Sequence, residues 1–89
     1  MDVASLSPVN RSLLIEALPG GELVNVLYHD GQRLEGGFSR ERRCFALGER
    51  GWLSFLGWDG EPARTADCRS RWGLTGAAVL ALAGDGLRG

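Results

Sequence analysis

The chain has no lysine. All ten of its basic residues are arginine, so a Schiff-base amine and a phosphate-loop lysine are both excluded. It has one histidine, His29, and two cysteines, Cys44 and Cys68. Those residues alone cannot complete a four-ligand zinc site, and no metal or other cofactor is expected. Asp30 follows His29 in sequence, but alternation along a strand would turn it away. No serine lies in a G-x-S-x-G setting: Ser54 sits in GWLSFLG. No acidic pair has a spacing that argues for acid–base work. An enzyme is therefore not expected.

Charge of one sign is missing as well. Ten basic and eleven acidic residues leave a formal charge of −1, which gives no general attraction to nucleic acid or anionic lipid. The most apolar segment, Leu74 to Ala83, is about half of what a bilayer needs, so no membrane span is expected. MDVASLSPV has no basic stretch before an apolar one, as a secretory leader would. The expectation is a cytoplasmic protein with free thiols. Arginines near both cysteines (Arg42 and Arg43; Arg69 and Arg71) would lower a thiol pKa. Burial in CFAL works against this at Cys44, whereas Cys68 is expected to be exposed and able to cross-link two copies.

What is present is an ordinary globular composition, 44% hydrophobic and 24% charged over 89 residues, enough for one domain spanning 1–89. Ser7-Pro8 marks a helix start. Val9, Leu13, Leu14, Ala17 and Leu18 recur at helical spacing, and Pro19-Gly20-Gly21 stops the helix. Glu22–His29 alternates as a strand, and Asp30-Gly31 is a tight hairpin signal. A second strand is expected from Gln32 to about Ser39, with Gly36-Gly37 marking a bulge, a bend or the close approach of another backbone. Arg40 to Arg43 reads as a charged connection to a third strand, Cys44–Leu47. Gly48 to Gly51 reads as a turn before a fourth strand, which Asp59-Gly60-Glu61-Pro62 closes. Residues 63–72 fit a fifth strand or a loop with a helical turn. Leu74–Ala83 fits a short buried helix capped by Thr75 and stopped by Gly84-Asp85-Gly86, although Val79, Ala81 and Ala83 also alternate as a strand would. The expected fold is α+β: an N-terminal helix, a four- to five-stranded antiparallel meander able to curl into a small bent barrel, and a short apolar C-terminal helix.

The fourth strand, GWLSFLGWDG, carries Trp52, Leu53, Phe55, Leu56 and Trp58, so both of its faces are apolar. A strand covered on both sides explains this. A partner surface is the competing account, since tryptophan and arginine are enriched at binding hot spots. The uncharged C-terminal helix is a further candidate for a dimer contact. Two arginine-rich segments, Ser39–Arg43 and Arg64–Trp72, would form a basic patch if they lay together, with Glu41 and Asp67 partly neutralising them.

Residues 23–38, LVNVLYHDGQRLEGGF, resemble the first strand–turn–strand of Sm-like proteins, with a preceding helix, an Asx-Gly turn and glycine in the second strand. That resemblance implies a small bent barrel and RNA binding, and it assigns no RNA-binding residues here. Size and missing chemistry favour a protein-binding module acting stoichiometrically, of the kind seen in phage- or plasmid-encoded inhibitors of host machinery such as anti-CRISPR proteins. Its expected contact residues are Arg40, Arg42, Arg43, Trp58, Arg69, Arg71 and Trp72. The expected partner is a protein, foreign or a second copy. A nucleic-acid-binding barrel is the alternative, and a thiol switch at Cys68 comes third.

Overall fold

The computed structural model describes residues 1–59 and 67–88, with side chains through residue 84. A short 3-10 turn at Val3–Ser5 leads into α1 (Pro8–Ala17), β1 (Glu22–His29), β2 (Gln32–Arg33), α2 (Glu35–Glu49), β3 (Leu53–Asp59), β4 (Asp67–Leu74) and α3 (Gly76–Arg88). The fold is α+β, with helices at both ends and a four-stranded antiparallel sheet in the order β2-β1-β4-β3.

Local signals act where they were expected. Ser7 Oγ accepts from the Asn10 amide at 3.2 Å, and Pro8 opens α1. Leu13, Leu14 and Ala17 face the core, while Val9 is exposed. Asp30 (φ 50°) and Gly31 (φ 75°) both take left-handed conformations, so the β1–β2 hairpin pairs His29 with Gln32. Thr75 Oγ1 caps α3 by accepting from the Ala78 amide at 3.1 Å.

The middle of the chain departs from the sequence reading. The second strand stops after Arg33. Gly36, Gly37 and Arg40–Arg43 lie on α2, and so does Cys44–Leu47, which had read as a third strand. The buried stripe of α2 is Glu41, Cys44 and Leu47, spaced for a helix. A charged residue and flanking glycines mask that stripe in the sequence. Gly37 is nevertheless a point of close backbone approach: a Cβ there would lie 1.8 Å from Val26 O.

The sheet is neither a sequential meander nor a closed barrel, because β4 inserts between β1 and β3 and leaves β2 and β3 as edges. The Sm-like likeness is thus confined to β1 and its turn. Of the turn expected at Asp59 to Pro62, residues 60–62 lie outside the described part, as do Ala63 and Arg64. Residues 67–72 are strand. α3 starts after Leu74 and continues through Gly84-Asp85-Gly86 to Arg88, since glycine weakens a helix by only about 1 kcal/mol.

One sheet face meets the helices. Leu23 of β1, Trp72 of β4, Leu14 and Ala17 of α1, Leu47 of α2 and Leu82 of α3 form a single cluster with Trp52 and Leu53. The other face carries Glu22, Val24, Arg69 and Arg71, with Arg71 Nε–Glu22 Oε1 at 2.5 Å and Arg69–Asp59 at 3.4 Å. No described helix is long and apolar enough to cross a membrane.

Candidate functional site

The aromatic stretch divides at the sheet edge. Trp52 and Leu53 are core residues, 2% and 3% exposed, whereas Phe55, Leu56 and Trp58 are 44%, 48% and 41% exposed. The expectation that this strand is covered on both sides therefore fails beyond Leu53. The cause is topological: β3 is the last strand of the sheet, and α2 reaches only its start. A bulge between Phe55 and Gly57, with Gly57 at φ 140°, breaks the alternation on which that expectation rested.

Trp72 anchors the exposed rings. The rings of Phe45, on α2, and Phe55 each meet it edge-on, at 5.1 and 5.2 Å between centroids, and Phe55 meets Trp58 at 5.3 Å. A shallow depression runs between α2 and β3, lined by Phe45, Gly48, Glu49, Leu53, Phe55 and Trp72. Gly48 allows the helix this close, since a Cβ there would stand 3.3 Å from the Trp72 ring. Trp72 itself is buried, so it supports the surface rather than forming its rim.

Beneath the surface lies a polar cage. Glu41 Oε1 accepts from Trp72 Nε1 (2.5 Å), Ser70 Oγ (2.7 Å) and Asn25 Nδ2 (3.3 Å), and Asn25 Nδ2 also reaches Cys44 Sγ (3.4 Å). Glu41 Oε2 and Asn25 Oδ1 have no partner. Burial pushes the thiols of Cys44 and Cys68 up, and the Glu41 charge adds to this at both; the Asn25 contact partly offsets it at Cys44. Both cysteines are free and buried, so Cys68 is not the exposed thiol expected from sequence. Its position beside Ser70 and Trp72 on the inward face of β4 explains why.

The arginines expected to form one patch are separated. Arg40, Arg42 and Arg43 lie on α2, where Arg40 meets Glu16 (3.4 Å), Arg42 meets Ser39 (3.4 Å) and Arg43 meets Asn10 (3.3 Å). Arg69 and Arg71 alternate with the buried Ser70 and Trp72, so they point to the opposite sheet face. Trp58 stands opposite Ser70, between the Gly57–Arg71 and Asp59–Arg69 pairs, so its backbone neighbours Arg69 and Arg71 but not the arginines of α2; its ring meets Phe55, which shares Trp72 with Phe45, a residue that the sequence had placed in a strand.

A third cluster was not legible in the sequence. His29 Nδ1 meets Asp67 Oδ1 at 3.0 Å, and His29 Nε2 lies 3.5 Å from Asp30 Oδ2 because the turn swings Asp30 back. Their ligand atoms lie within 4.8 Å of one another, and all three residues are exposed. The two carboxylates address opposite ring nitrogens, so one ion could not use both nitrogens together.

No protein-family model, curated protein or solved structure matches the chain.

Proposed function

We propose that this chain is a non-enzymatic protein-binding module that acts stoichiometrically, with the edge of β3 as its contact surface. The observation that carries this reading is an edge strand without charge from Leu53 to Trp58 whose rings stand exposed beside Phe45. Edge strands of soluble proteins are usually guarded by charge or proline, and exposed aromatic rings on a firm base are the common anchors of protein interfaces. An inhibitor of host machinery is one form such a module takes. The separated and internally paired arginines, together with the open sheet, take support away from the nucleic-acid reading.

The test is affinity capture from lysate with and without nuclease, using the parent chain and a Phe45→Ser/Trp58→Ser variant. Both positions are exposed, so the variant should fold. A stoichiometric protein partner that survives nuclease and is lost by the variant is the expected result. Capture abolished by nuclease would return the nucleic-acid reading. Capture unaffected by the variant would remove β3 as the surface.

A further inference from the structure

Two hydrogen bonds at the start of the sheet fix which backbone groups of β3 face its free edge. Trp52 O accepts from the Thr75 amide at 3.1 Å, and on the other side of β4 the Leu74 amide donates to Gly21 O at 2.9 Å. The two-residue period of a strand then turns the backbone groups of Gly73, Arg71 and Arg69 toward β3, and those of Trp72 and Ser70 toward β1. Ser54, Gly57 and Asp59, which oppose Gly73, Arg71 and Arg69, are therefore engaged with β4. The N–H and C=O groups of Phe55 and Trp58 point the other way, where no strand pairs with them among the described residues.

The same register sets the side-chain faces. Phe55 and Trp58 oppose Trp72 and Ser70, so both rings lie on the helix side of the sheet. Ser54, Gly57 and Asp59 oppose Gly73, Arg71 and Arg69 on the other side. Leu56, the bulged residue, is on that side too, because a Cβ at Gly73 would stand 3.3 Å from it. From Ser54 to Asp59 the order is thus out, in, out, out, in, out, which reads the same in both directions. Strict alternation over this stretch would not; the bulge makes it so. Such a strand can pair antiparallel with a copy of itself about a two-fold axis between Leu56 and Gly57, and every residue then meets one on its own face.

We propose that β3 pairs in this way with β3 of a second copy, so that two sheets become one. This rests on β3 being the contact surface and names its partner. Phe55 and Trp58 of each copy exchange backbone hydrogen bonds with Trp58 and Phe55 of the other, and their rings make two cross-strand aromatic pairs. Leu56 of one copy meets Gly57 of the other, where a Cβ would have nothing within 4 Å, so there is room for it. Ser54 meets Asp59, a hydroxyl donor against a carboxylate, and no like charges oppose each other. Phe45, Phe55, Leu56 and Trp58 are each about half exposed, which leaves roughly 80–100 Å² per side chain to cover. With the strand backbone, the two copies bury about 1,000 Å², the lower limit of a specific interface. The dimer is weak, with Kd of about 10–100 µM.

The test is sedimentation equilibrium of the full chain from about 1 to about 500 µM, beside Ser54→Asp and Ser54→Arg variants. Ser54 is exposed, so both variants should fold, and circular dichroism checks that they do. A monomer–dimer equilibrium is expected for the parent. Ser54→Asp sets a carboxylate opposite Asp59 twice in each dimer and should weaken it about fivefold, whereas Ser54→Arg should leave it unchanged or tighter. A parent chain that stays monomeric at the highest concentration overturns the pairing. Capture with the Phe45→Ser/Trp58→Ser variant then decides separately whether β3 contacts a different protein. A dimer that responds alike to both Ser54 variants, or to neither, overturns the pairing and moves the contact to another face.

Discussion

Gly36 and Gly37 are adjacent in the first turn of one helix, and alanine is predicted to act in opposite directions at the two. Alanine in place of glycine within a helix gains up to about 1 kcal/mol from the unfolded chain's lost freedom and from propensity. At Gly36 a Cβ meets nothing within 4 Å, so Gly36→Ala should stabilise by about 0.5–1 kcal/mol. At Gly37 the same atom would lie 1.8 Å from Val26 O and 2.8 Å from Val26 C, both backbone atoms of a strand paired on its other side with β4. An ordinary carbon–oxygen contact needs about 3.3 Å, so α2 or β1 must give by roughly 1.5 Å. Overpacking a rigid site costs about 1–3 kcal/mol or more, and α2 carries Glu41, Cys44 and Leu47 into the core as it moves. The clash wins, for a net loss of about 2 kcal/mol after the propensity gain. For a domain of this size that lowers Tm by roughly 10 °C. Urea and thermal unfolding followed by circular dichroism would measure both variants. If Gly37→Ala matched or exceeded the parent in stability, the contact between α2 and the edge of β1 would be wrong.

Two further outcomes follow from the polar cage. Glu41→Leu leaves Trp72 Nε1 and Ser70 Oγ buried without their shared acceptor, so it should destabilise by about 3 kcal/mol in chemical denaturation, and Glu41→Gln, which keeps an acceptor oxygen, by less. Cys44 and Cys68 have folded-state pKa values raised above the unfolded ones, so their contribution is complete below the unfolded thiol value and is lost as pH rises through the folded one. Unfolding free energy should thus fall above about pH 9, and a Cys44→Ala/Cys68→Ala variant should show a flatter alkaline limb. An identical limb in both proteins would refute that assignment.

Sequence alone determined the features that one residue's own conformational preference settles. Ser7-Pro8 starts a helix because one side-chain oxygen caps it and a ring fixes φ, while Asp30-Gly31 turns the chain because both residues accept positive φ. Thr75 starts α3 for the same local reason. The missing lysine and the sparse histidine and cysteine limited the chemistry without any fold. Only the tertiary structure decided what depends on neighbours distant in sequence. α2 is a helix because Glu41 finds Asn25, Ser70 and Trp72, partners 16, 29 and 31 residues away, so a charged residue can lie in a buried stripe. β4 enters between β1 and β3, which turns the most apolar strand into an edge and seats Cys68 inside. The same insertion puts Arg69 and Arg71 on the sheet face opposite α2, a separation no spacing along the chain encodes. Periodicity shows which residues share a face. Which faces are covered is fixed by pairing across the sheet, and here that left Phe55, Leu56 and Trp58 at the surface.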